Sequence, residues 1–98
     1  MTLRVVFRRP AQHEFREAAL WYEARRPGLG AAFRARVNSA ILAAAEAPLR
    51  FPRVLRDIRC VRVRRFPYSV FFITEPELLV VLAVFHARRD PARWGRRT

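Results

Sequence analysis

Residues Leu78 to Phe85 read LLVVLAVF, an unbroken apolar run. A membrane-spanning helix needs about 20 apolar residues, so this run is too short to cross a bilayer. It is rich in Val and Leu and holds neither Gly nor Pro, the pattern of a strand covered on both faces. Any fold for this chain must put that strand in its interior. Behind it come His86-Ala87-Arg88-Arg89-Asp90-Pro91 and then Trp94. The strand therefore delivers basic side chains at the point where it leaves the core.

The elements upstream follow from periodicity. Leu3, Val5 and Phe7 alternate with Arg4, Val6 and Arg8, which predicts a short strand over Leu3 to Arg8 with one strongly apolar face. Pro10 opens a helix, because its missing N–H costs nothing at a first helical position. Ala11, Phe15, Ala18, Ala19 and Tyr22 make its apolar stripe. Pro27-Gly28-Leu29-Gly30 interrupts. A second helix is expected over Ala31 to Ala47, with Phe33, Val37, Ala40, Ile41 and Ala44 on one face. So short a break joins the two into an antiparallel hairpin, and their alanines permit close approach. Pro48 ends the second helix.

Leu49 to Asp57 reads as a connector. Strands are expected over Ile58 to Arg65, Tyr68 to Thr74 and Leu78 to Phe85, the last two joined by the turn Glu75-Pro76-Glu77. In the first of these, Val61 and Val63 face one way and Cys60, Arg62 and Arg64 the other. Short loops make these strands an antiparallel meander, and the N-terminal strand must pair with one of them. The expected fold is α+β, in the order β-α-α-β-β-β. The hairpin covers one face of a small, mainly antiparallel sheet, and a short C-terminal helix follows, begun by Pro91, capped by Asp90 and packed down by Trp94.

Composition restricts the function. The 98 residues suffice for one domain, 1–98, and at 52% hydrophobic they can fill a core. MTLRVVFRRP has no long apolar stretch, so no signal peptide is expected. The single cysteine, Cys60, excludes an internal disulfide framework and suits a reducing cytoplasm. All 20 basic residues are arginine and the net charge is +12, which attracts polyanions or an acidic protein. A GC-rich genome accounts for the missing lysines as well as function does, but not for the charge.

Two helices cover one side of a four-stranded sheet. Val70 to Ile73 and Leu78 to Phe85 place apolar groups on both sides, so a leftover apolar face is expected. Val70, Phe72, Leu79 and Val81, with Arg59 and Arg62, are the residues expected to receive a protein partner there. The alternative is that Asp90 to Arg97 folds back over the same face.

Catalytic motifs are sparse. The only glycines are Gly28, Gly30 and Gly95, so there is no phosphate-cradling loop, and no cofactor is expected. His13, Cys60 and His86 are too far apart for a metal motif. His13 reads as a solvated helix residue and Cys60 as a small buried or half-buried one. His86 is either a general base tuned by the neighbouring arginines or a ring closing the sheet edge. Arg88-Arg89-Asp90-Pro91 reads as a turn or as an arginine-rich tip that meets phosphate or acidic protein, with Arg59, Arg62, Arg64 and Arg65 adding charge.

Six short motifs, in order, span nearly the whole chain: a strand followed by a Pro10-led helix, A-L-W-Y-E at Ala19 to Glu23, R-x-G-L-G at Arg26 to Gly30, P-x-x-F-P at Pro48 to Pro52, R-R-F-P-Y at Arg64 to Tyr68, and A-V-x-H-x-R-R-D-P-x-x-W at Ala83 to Trp94. Together they resemble the RelE/ParE superfamily of type II toxin–antitoxin toxins, and the ParE-like branch most. The resemblance implies growth inhibition by binding DNA gyrase, through Arg88, Arg89, Arg93 and Trp94, and neutralisation by a cognate acidic antitoxin. From the residues themselves, no metal and no membrane partner is expected. The mRNA-cleaving, ribosome-dependent branch is the alternative, with Arg62, Arg64, His86 and Arg88 as its chemical groups. That branch carries a middle-strand arginine where this chain has Ser69, and a tyrosine near the position of Trp94. A third reading is a non-toxic relative that retains only antitoxin binding.

Overall fold

The computed structural model describes residues 2–87. The chain runs β1 (Arg4–Phe7), α1 (Arg9–Arg25), α2 (Leu29–Glu46), a 3-10 turn (Pro48–Arg50), β2 (Arg53–Leu55), β3 (Ile58–Arg62), β4 (Tyr68–Glu75) and β5 (Leu78–His86). The expected helices and strands are present within a few residues of their predicted ends. The connector holds one further short strand, β2, so among the described residues the sheet has five strands, in the order β1-β5-β4-β3-β2. The expected C-terminal helix, with Asp90, Pro91 and Trp94, lies outside the described residues.

α1 and α2 pack through small side chains. Ala11, Ala18 and Ala19 of α1 are buried, as are Gly30, Ala40, Ala44 and Ala45 of α2. The turn between them is held by one carboxylate. Glu23 accepts the Gly28 N–H at 2.9 Å and the Gly30 N–H at 2.9 Å, which satisfies donors at the start of α2. Gly28 takes a left-handed φ of 89°, which glycine adopts without steric cost. Arg26-x-Gly28-Leu29-Gly30 is therefore a hairpin device.

β1 pairs with β5 in parallel, Arg4 opposite Leu78 and Phe7 opposite Val81. The other pairings are antiparallel. Between β4 and β5, Phe71 faces Ala83 but Phe72 faces Val81, so Leu82 is the extra residue of a β-bulge. Phase therefore shifts along β5. Leu79, Val81 and Val84 join the core under the helices, whereas Val80, Leu82, Ala83 and Phe85 face the opposite side.

This arrangement corrects the expected partner-binding set. Val70, Phe72, Leu79 and Val81 are fully buried beneath α1 and α2, packed with Phe33 and Val37. Strands that are apolar on both sides give no alternation to say which parity meets the helices, and a one-residue slip exchanges the faces. The opposite face is apolar, as expected, but it is not bare. Ile58, Val80, Leu82, Ala83 and Phe85 pack together there at 0–4% exposure. Phe71 and Phe85 meet edge-on over it at 6.5 Å.

Candidate binding grooves

Among the described residues, two of the clefts lie between a helix and the sheet, one against α2 and one against α1. The first, of about 330 Å³, runs between α2 and β3. Arg36, Ser39, Ala40 and Ala43 line it from α2 at spacings that share one helix face. Phe51, Val61, Arg62 and Arg64 line it from the sheet side. Ala40 and Val61 are buried and form part of an apolar floor, while Arg62 and Arg64 are exposed at the rim. Arg59 donates from its guanidinium to the Phe51 carbonyl at 2.6 Å, which ties the connector to β3. The Phe51 ring also meets Phe72 at 6.4 Å. Arg59 thus builds the wall of the groove.

Cys60 lies on β3, half-buried. Burial pushes its thiol pKa up; a hydrogen bond with Ser69 and the charge of Arg62 oppose this but are outweighed. It is a protonated structural thiol near neutral pH, not a reactive nucleophile. Burial likewise raises the Tyr22 phenol, with the neighbouring Tyr68 adding to the effect.

The second cleft, of about 370 Å³, lies between α1 and the end of β5, lined by His13, Glu14, Glu17, Tyr68, Val84 and His86. His13 is exposed, as expected. The His86 ring packs edge-on to Tyr68 at 5.4 Å. β1 ends opposite Val81, so among the described residues β5 has no strand neighbour on that side at Val84. Glu14 fills the gap, its carboxylate accepting the Val84 N–H at 3.0 Å across 70 residues of sequence. Replacing Glu14 with alanine is expected to cost about 1–3 kcal/mol, the cost of leaving a partly buried donor unmet. Glutamine, which keeps an acceptor, should recover much of it. Urea unfolding of the three proteins checks this, with the Val84 amide expected to exchange faster in the alanine variant only.

The residues named for a nuclease line different surfaces. Arg62 and Arg64 line the α2/β3 groove, whereas His86 lines the α1/β5 cleft. Arg88, and with it Arg89, Arg93 and Trp94, lies outside the described residues. No group of three or more His, Cys, Asp or Glu side chains is placed to hold a metal ion among the described residues. No helix there is long and apolar enough to cross a membrane. Sequence reasoning missed the groove contributions of Arg36, Ala43 and Phe51, although the spacing of Arg36, Ala40 and Ala43 carried a signal. Nothing in the sequence connects Glu14 to Val84.

Comparisons with known proteins agree on a single fold. The chromosomal ParDE toxin–antitoxin system of Pseudomonas aeruginosa matches with a TM-score of 0.69 at 14% identity, over 87% of this chain and 96% of that one. The RelBE2 toxin–antitoxin complex of Mycobacterium tuberculosis matches with a TM-score of 0.61 at 22% identity, over 88% and 99%. A double mutant of the Escherichia coli toxin RelE in its free state matches with a TM-score of 0.69 at 19% identity, over 99% and 94%. No curated protein matches in sequence. The family described as the ParE toxin of the type II toxin–antitoxin system, parDE, matches residues 5–91. A match over that length, on this helical hairpin and sheet, means that the chain belongs to the ParE toxin family.

Proposed function

We propose that this protein is the growth-inhibiting toxin of a type II toxin–antitoxin module of the plasmid-stabilisation type, acting in the cytoplasm by binding DNA gyrase and neutralised by a cognate acidic antitoxin. Family membership over residues 5–91 carries the reading of a toxin. The choice of binding over catalysis is supported by the separation of Arg62 and Arg64 from His86 into two clefts. It is supported further by Ser69, at the position where the cleaving branch carries an arginine. A net charge of +12 favours an acidic partner over a neutral one. Arg88, Arg89, Arg93 and Trp94 are proposed as the gyrase contacts.

Tightly controlled expression in a bacterial host tests this reading. Growth should stop on induction and resume when an acidic protein encoded beside this gene is co-expressed. Purified protein should inhibit gyrase supercoiling or trap its cleavage complex, while mapped mRNA ends stay unchanged. New mRNA ends within minutes of induction would transfer the reading to the ribosome-dependent nuclease. Unimpaired growth would leave a family member that only binds its antitoxin.

A further inference from the structure

We propose that the cleft where β1, α1 and α2 meet binds a small aromatic carboxylate, a molecule of one ring with one anionic head. The proposal is independent of the toxin reading.

Charge carries the first part of the argument. The cleft, of about 230 Å³, is lined by Phe7 at the end of β1, by Gln12, Phe15 and Arg16 of α1, and by Arg34 of α2. Phe15 follows Gln12 by three residues and Arg16 by four, so all three share one face of α1. Two guanidinium groups from different helices therefore converge on one cavity, and among the described residues no carboxylate lines it. Arginine cannot relieve such repulsion by giving up a proton. An anion relieves it. The planar fork of a guanidinium matches a carboxylate through paired hydrogen bonds, and the Gln12 amide brings a further donor to the same cleft.

The rings say what else the anion should carry. Phe7 and Phe15 are half-buried and nearly parallel, 10° apart in plane with centroids 5.9 Å apart. Phe15 is fixed from behind by the buried Phe33, at 6.1 Å. The Arg34 guanidinium lies over the Phe15 ring at 5.7 Å, so it is held at the cleft before a guest arrives, which lowers the ordering cost of binding. A guest ring meeting the two phenyl groups edge-on gains contact that an aliphatic acid does not. An inorganic anion would satisfy the guanidinium groups and leave both rings against water. The α2/β3 groove also gathers arginines, but a single aromatic ring, Phe51, lines it. Size limits the guest, since pockets for drug-sized ligands run to about 300–1,000 Å³ and this one is smaller, which suits one ring and excludes a dinucleotide.

The probe is phenylacetate, titrated at fixed ionic strength into the full-length, isotope-labelled protein. Saturable shifts should centre on Phe7, Gln12, Phe15, Arg16 and Arg34. Phenylacetamide, which keeps the shape and loses the charge, should bind about tenfold more weakly. Acetate, which keeps the charge and loses the ring, should also bind about tenfold more weakly. Arg16→Gln and Arg34→Gln, both at exposed positions where folding is checked by circular dichroism, should each weaken phenylacetate about tenfold. Arg36→Gln removes the same charge from the other side of α2 and should leave phenylacetate binding unchanged. Shifts spread over the surface without saturation, or equal binding by acetate or by phenylacetamide, would overturn the proposal. So would an Arg36→Gln loss as large as that of Arg34→Gln, which would mean that bulk charge attracts the anion. The two ligand comparisons use the unaltered chain, so they decide the matter even if a variant fails to fold.

Discussion

Replacing Phe33 with alanine is expected to lower stability by about 4 kcal/mol, the usual cost of deleting a buried aromatic ring. Phe33 has no exposed surface. Its ring lies 5.0 Å from Tyr68, 5.1 Å from Tyr22, 5.2 Å from Phe66 and 6.1 Å from Phe15. These partners come from α1, from the β3–β4 loop and from β4, so one deletion loosens three parts of the fold together. A domain of this size has about 5–15 kcal/mol in total, so the variant should be marginally folded at best. Urea unfolding measures the loss. Leu42→Ala is the control: Leu42 is 55% exposed on α2, and the change should stay within about 0.5 kcal/mol. A Phe33→Ala loss below about 1 kcal/mol would mean that the aromatic cluster does not hold the hairpin to the sheet.

A comparable loss is expected from adding one methyl group at Gly30. A β-carbon there would lie 2.6 Å from the Ala19 carbonyl oxygen and 2.9 Å from the Glu23 β-carbon. The first obstacle is backbone, so α1 and α2 must move apart, and overpacking of that kind costs about 1–3 kcal/mol. Movement also breaks the two hydrogen bonds that the Glu23 carboxylate accepts, adding about 1 kcal/mol or more. Alanine is the better helix former by about 0.5–1 kcal/mol, which offsets only part of this. Gly30→Ala should therefore lose about 2–3 kcal/mol, whereas Gly28→Ala, with nothing within 4 Å of its added carbon, should lose only about 1 kcal/mol from its left-handed backbone. Thermal unfolding of the pair gives the ordering; a Gly30→Ala protein as stable as the parent would sink the close-approach argument.

The same residues show what a reader of the chain could and could not see. The helices were legible because alanine and aromatic positions recur at helical spacing and Pro10, Pro27-Gly28 and Pro48 punctuate them. The strand Ile58–Arg62 was legible because Val61 alternates with Cys60 and Arg62. β2 was not, since Arg53-Val54-Leu55 is too short to show a period and stands out only by pairing with β3. Which face of β4 and β5 meets the helices was not legible either. Both strands are apolar on either side, and the bulge at Leu82 reverses phase partway along β5. Of the candidate site, the arginines Arg62 and Arg64 were visible as exposed alternates. Their companion Arg36, across the groove, required the fold.

The pairing of Arg4 with Leu78 has a consequence for how the molecule comes into being. A ribosome makes β1 before β5, so the first strand stays without its neighbour until Leu78–His86 has been made. The hairpin of α1 and α2 can form early from local contacts, but the sheet has to wait for β5. Such non-local closure slows folding relative to helical bundles. The sheet surface therefore comes into existence only after Leu78–His86 has been made.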